Sequence, residues 1–113
     1  MMRRPVAAAL ALPLAACSQP ADPTSLIAEA HSAVLDAVED PVSARFDDTH
    51  IVVFPDEGLV CEGKINAKDA WGQYTGFDSY YYARGRGVGL PTFNLALHAA
   101  LMRECARAIE GTG

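Results

Sequence analysis

The chain has 113 residues, half of them hydrophobic, with nine Lys+Arg against fourteen Asp+Glu and a formal net charge of −5. That length supports one small domain, and a sequence pI near 5.0 excludes the basic footprint of a nucleic-acid binder. A charged fraction of 20% and a mean hydropathy of +0.09 exclude disorder over most of the chain.

Met1-Met2-Arg3-Arg4 is a short basic start, followed by Pro5 and an apolar run from Val6 to Ala16. As a helix, about eleven residues reach roughly 16 Å. A bilayer core needs about 20 residues, so the segment (residues 1–16) reads as a secretion signal and not a permanent span. No polar pattern follows Arg3-Arg4, which favours the general secretory route over the twin-arginine one. The run closes in Leu14-Ala15-Ala16-Cys17, which resembles the lipobox of bacterial lipoproteins. The resemblance implies cleavage before Cys17 and a diacylglycerol on its thiol. Small residues at Ala15 and Ala16 admit an extended backbone to a peptidase site, and each buried acyl CH₂ contributes about 0.8 kcal/mol to anchoring. An ordinary signal peptide, cut near Ala16 to release a secreted chain, is the alternative. Ser18 follows the cysteine where Asp would favour inner-membrane retention, so the expected location is the periplasmic face of the outer membrane. Loss of Arg3 and Arg4 takes the nine basic residues to seven against fourteen acidic ones, a net charge of −7. The membrane is thus met through the lipid, with no polybasic second anchor.

Residues 17–23 read as a lipidated tether, polar and proline-bearing, and residues 24–113 as a single domain. Asp22 is placed to cap a helix whose first residue is Pro23. Leu26, Ile27, Ala30, Ala33, Val34, Ala37 and Val38 recur at helical spacing, predicting a helix over about 23–39. Asp40-Pro41 ends it, with one further turn over Pro41 to Ala44 capped by Asp40. Ile51 to Phe54 is β-branched and aromatic, hence a strand. Pro55 to Gly58 is a turn. Leu59 to Asn66 alternates, with Leu59, Cys61 and Ile65 on one face and Glu62, Lys64 and Asn66 on the other. Phe77 to Tyr82 is a third, aromatic strand, Gly85 to Gly89 a flexible loop, and Thr92 the cap of a final helix over about 93–109 with Gly111 as its stop. The expected fold is α+β: an N-terminal helix, a three-stranded antiparallel sheet and a C-terminal helix, with both helices on one sheet face.

With Cys17 lipidated, Cys61 and Cys105 remain, both on apolar faces of elements that must pack together, in a compartment where disulfides persist. A bridge between them, closing about 45 residues, would stabilise by roughly 4 kcal/mol; two buried thiols are the alternative.

Asp40-Pro41-Val42-Ser43-Ala44-Arg45-Phe46, Val60-Cys61 and the stretch Asn66-Ala67-Lys68-Asp69-Ala70-Trp71-Gly72-Gln73-Tyr74-Thr75-Gly76-Phe77 together resemble a family of small proteobacterial secreted proteins and lipoproteins. Its pattern runs Asp-Pro-x-Ser-Ala-x-Phe, Val-Cys-Gly, Asn-Ala-Lys-Asn and Gly-x-Tyr-x-Gly-Phe. The resemblance covers roughly residues 34–82 and implies an α+β fold and an envelope location, but no activity. Two departures stand out. Glu62 precedes Gly63 like an inserted residue, as at a bulge, and Asp69 replaces the usual Asn.

Candidate chemistry is sparse. Gly72 and Gly76 permit tight turns, Asn66 can bond nearby backbone, and Tyr74 and Phe77 would pin their loop to the sheet. Lys68, Asp69 and Gln73 are candidates for a small binding surface there, although a purely structural turn explains the same residues. Arg84-Gly85-Arg86-Gly87 is the one basic spot beside flexible backbone. It could take an anion through Arg84 and Arg86 or simply offset acidic neighbours, and it lacks the ending of a phosphate loop. Tyr80-Tyr81-Tyr82 must place rings on both sheet faces, so Tyr80 or Tyr82 is a candidate for an exposed contact to a protein or glycan. Asp47-Asp48-Thr49-His50 reads as a solvated turn rather than a cation site. His31 and His98 lie on separate helices as surface residues without metal spacing. Ser43 and Ser79 have no nucleophile setting. No metal, cofactor or catalytic residue is read from the sequence. The expected role is a non-enzymatic envelope module that binds another envelope component, with inhibition of a hydrolase as the runner-up. A minor envelope hydrolase would need a pocket holding a nucleophile or a perturbed acid.

Overall fold

The computed structural model describes residues 22–112; the signal segment, Cys17 and the tether up to residue 21 lie outside the described residues. Helix α1 spans Pro23–Ala37. Asp22 caps it as expected, its Oδ1 accepting from the Ser25 N–H at 2.7 Å. The helix stops two residues short of the expected end, and a 3-10 turn follows over Pro41–Ser43. Asp40 supports that turn with its backbone carbonyl rather than its side chain, accepting from Ser43 N–H.

The sheet has five strands, not three: β1 (Arg45–Asp47), β2 (Val52–Phe54), β3 (Leu59–Asn66), β4 (Asp78–Ala83) and β5 (Gly87–Gly89). All pairings are antiparallel, and β1 and β2 lie end to end along the same edge of β3. The two strands that sequence reading missed are three residues each, Arg-Phe-Asp and Gly-Val-Gly. Neither carries a β-branched run; each exists because a longer neighbour offers it a ladder. The supposed flexible loop is therefore a tight turn feeding β5. Between β2 and β3, Pro55–Glu57 makes a 3-10 turn that Gly58 closes in the left-handed region, at φ 63°.

Helix α2 spans Leu95–Thr112. Asn94, not Thr92, serves its first turn: Asn94 Oδ1 accepts from Leu97 N–H at 3.3 Å and its carbonyl from His98 N–H at 3.0 Å. Gly111 does not stop the helix, which continues to Thr112.

The helices cover opposite faces of the sheet, correcting the expectation of a single covered face. On one side Leu26, Ala30 and Val34 of α1 pack on Val60, Ile65, Tyr80, Val88 and Leu90. On the other, Leu101 and Cys105 of α2 pack on Leu59, Cys61, Tyr81 and Ala83. The physical reason is legible in Leu59-Val60-Cys61 and Tyr80 to Ala83, which are apolar at consecutive positions and so bury both sides of the sheet. The Cys61–Cys105 disulfide is present, with 6.0 Å between Cα atoms, and ties α2 to the centre of β3.

Register shifts between Val60 and Gly63 where β3 pairs with β4, a β-bulge at which Glu62 takes a positive φ of 65°. The extra residue moves Ile65 to the α1 face, away from Leu59 and Cys61, as the period-two geometry of a strand requires. Opposite the bulge the edge strand is also broken, between Asp47 and Val52, which pair with Lys64 and Cys61. Through that break Asp48 turns inward. Its Oδ1 accepts from Tyr80 OH at 2.8 Å, and its Oδ2 accepts from His31 Nε2 at 2.6 Å. Asp48 is therefore no solvated turn residue, and His31 is no free surface histidine: its ring stacks on Phe46 at 3.8 Å. The Tyr80 ring lies where a Cβ on Gly63 would have to be. Gly63→Ala should therefore destabilise the fold by about 1–3 kcal/mol through overpacking, read as a lower midpoint in urea denaturation with an unchanged slope.

Candidate functional site

Three connections meet at one end of the sheet: the turn after α1, the long β3–β4 loop over residues 67–77, and the β5–α2 link. Ser43 knits the first two together. Its Oγ donates to the Asp40 carbonyl at 2.7 Å and accepts from Lys68 N–H at 2.8 Å, and its own carbonyl accepts from Tyr74 OH at 2.8 Å. The Arg45 guanidinium stands 4.2 Å over the Tyr74 ring, and Asn66 Oδ1 accepts from Gly76 N–H at 3.3 Å. Tyr74 thus pins the loop as expected; Phe77 does not, being half-exposed.

Asp69 builds the loop tip. Its Oδ1 accepts from Trp71 N–H at 2.9 Å and Gln73 N–H at 3.1 Å. Its backbone N–H donates to Gln73 O, and its carbonyl accepts from Gly72 N–H. Gly72, at φ 79°, supplies the left-handed step the turn needs. On this braced turn Trp71 is 85% exposed. Tryptophan was not among the candidates, because a lone aromatic in a polar loop gives no sign of which way it faces.

Val42, Trp71, Phe77, Phe93 and Leu95 are all exposed, and all belong to these connections or the start of α2. Beside them a cleft of about 180 Å³ opens among Val38, Ile65, Leu90, Glu39, Asp69 and Asp78, with Lys68 also on its wall. This end is where α1 finishes, one helix length, about 22 Å at 1.5 Å per residue, from the Asp22 cap and the side on which the chain enters.

The remaining candidates are dispersed. Arg84 and Arg86 lie at the opposite end, in the β4–β5 turn, and neither is a free anion site: Arg84 pairs with Glu29, and Arg86 with Glu104 at 2.8 Å. The Arg84 guanidinium holds the Glu29 carboxyl below its ordinary range. Tyr80 is wholly buried and so is no contact residue. Tyr82 is half-buried against the α1 side, its hydroxyl donating to Glu29 at 3.3 Å. Of the candidate surface, then, only Lys68, Asp69 and Gln73 share one place.

His98, expected on a helix surface, is buried. Its Nε2 is 3.0 Å from Ser79 Oγ, and the Tyr81 ring meets it edge-on. A Cβ on Gly89 would strike the His98 backbone, so α2 and β5 are in direct contact and the pair lies between packed layers. Among the described residues no group of three or more His, Cys, Asp and Glu side chains is placed to hold a metal ion. No helix there is long and apolar enough to cross a membrane. No known family model, curated protein or solved structure matches the chain.

Burial, then the neighbouring carboxylate, raises both central tyrosines: Tyr81, beside Glu62, is pushed up to about 12, and Tyr80, bonded to Asp48, is raised further. Because the folded state favours the neutral phenols, their stabilising contribution is complete below the ordinary tyrosine pKa of about 10 and is lost as pH rises through the raised values. Unfolding free energy should therefore fall as pH climbs from about 10 toward 12, and Tyr81→Phe should make that decline shallower in denaturant titrations.

Proposed function

We propose that this chain is a non-enzymatic, lipid-anchored envelope protein that binds another envelope component through the end remote from its anchor. The lipobox resemblance at Leu14-Ala15-Ala16-Cys17 and the motif resemblance over roughly residues 34–82 support the periplasmic face of the outer membrane. The observation that carries the binding reading is Trp71, 85% exposed on a turn braced by Asp69. Exposing an indole to water is costly, and Trp is the residue type most enriched at interface hot spots. Val42, Phe77, Phe93 and Leu95 are exposed on the same connections or at the start of α2, and exposed apolar patches mark interaction sites. Cys17 precedes the Asp22 cap by five residues, and the Trp71 loop lies at the end of the sheet where α1 finishes rather than where it begins. A protruding indole on a firm turn also suits insertion into a concave partner, which favours inhibition of an envelope hydrolase as the second reading.

Crosslinking in intact envelopes followed by capture of this chain tests the role. Trp71→Ala should weaken capture of the partner at least about thirtyfold, since truncating a hot spot costs about 2 kcal/mol or more, while Arg84→Ala leaves recovery unchanged. Equal recovery in wild type and Trp71→Ala would remove this end as the binding surface. Intact-mass analysis of the native product should find the chain beginning at Cys17 with added acyl mass. An unacylated chain that keeps Met1 would overturn the location.

A further inference from the structure

We infer that the cleft between the end of α1 and the β3–β4 loop that carries Trp71 receives one long basic side chain, a lysine or arginine, from the protein partner. This inference rests on the binding reading above and names what that surface recognises. Its floor is apolar, with Ile65 and Leu90 buried and Val38 half-buried. Its wall carries the carboxylates of Glu39, Asp69 and Asp78 against the single ammonium of Lys68. Asp69 spends its Oδ1 on the loop tip. Glu39 and Asp78, by contrast, enter no ion pair or side-chain hydrogen bond among the described residues. Lys68 does not neutralise them; its Nζ leans over the Tyr74 ring, 5.7 Å from the centroid.

An apolar floor beneath carboxylates suits a side chain with a methylene stem and a charged head, the arrangement by which Lys and Arg cover apolar surface while keeping the charge hydrated. The volume of about 180 Å³ is that of one large side chain rather than of a helix or strand. A net charge of −7 on the chain from Cys17 onward adds long-range attraction for a basic partner. The same charge argues against a second copy, since the face would meet its own carboxylates.

The probes are three capped tripeptides, acetyl-Ala-X-Ala-amide with X as lysine, arginine or norleucine, titrated into the purified full-length protein and read by amide chemical shifts and Trp71 fluorescence. Lysine and arginine peptides should shift Val38, Ala67, Gly76 and Asp78 saturably. Norleucine, which has the stem without the charge, should bind at least about fivefold more weakly, and added salt should erase most of that difference. Glu39→Gln with Asp78→Asn should weaken the basic peptides at least about fivefold, and Glu39→Lys alone should do the same if the double variant folds poorly. Norleucine binding as tightly as lysine, or no saturable shift with any peptide, would overturn the inference. So would a concentration-dependent dimer strengthened by Glu39→Gln with Asp78→Asn, which would make a second copy the occupant. If those variants still capture the envelope partner and only Trp71→Ala loses it, the binding reading stands and the basic side chain falls.

Discussion

The fold turns on the Tyr80 ring lying flat against Gly63, its hydroxyl held by Asp48, which in turn holds His31 of α1. Three sequence-distant pieces meet there, and each constrains the others. Gly63 has to lack a side chain because the ring occupies the space. The ring has to end in a hydroxyl partner because burial of an unpaired phenol costs free energy. Asp48 reaches that hydroxyl only because the edge strand is broken opposite the bulge at Glu62. The irregularities of β2, β3 and the Asp48 turn are therefore one accommodation, made so that a polar side chain can close a buried network.

Both helices are held by an apolar seam and an ion pair to the β4–β5 turn, Glu29–Arg84 for α1 and Glu104–Arg86 for α2. What differs is the third fastening: the Tyr80–Asp48–His31 network for α1 and the Cys61–Cys105 bridge for α2. Ion pairs gather at the end where the chain enters α1 and α2 nears its finish. The unpaired carboxylates Glu39 and Asp78 and the exposed rings of Trp71, Phe77 and Phe93 gather at the other.

Much of the loop that forms this end was legible as structure before it was legible as a surface. Gly72, Asn66, Tyr74 and Asp69 announce tight turns and side-chain-to-backbone bonds, and those bonds are present. Lys68, Asp69 and Gln73 share the loop that carries Trp71. Tyr80 is not the exposed ring of its strand, because a tyrosine in an apolar strand has an even chance of either face until its partners are known. Arg84 and Arg86 follow the alternative to anion binding and offset acidic neighbours, Glu29 and Glu104.

Local chemistry alone determined the α+β class, the Asp22 cap, the long central strands, the turns at proline and glycine, and the placement of two cysteines on apolar faces. Those features depend on near neighbours, through backbone stereochemistry and hydrophobic period. Tertiary contact decided the two short strands, the reversal of Ile65 and the burial of His98 and Tyr80. Each is set by a residue distant in sequence: a ladder partner, a bulge that changes parity, or a side chain that fills or vacates a space. Such partners leave no periodic trace along the chain, and only packing brings them together.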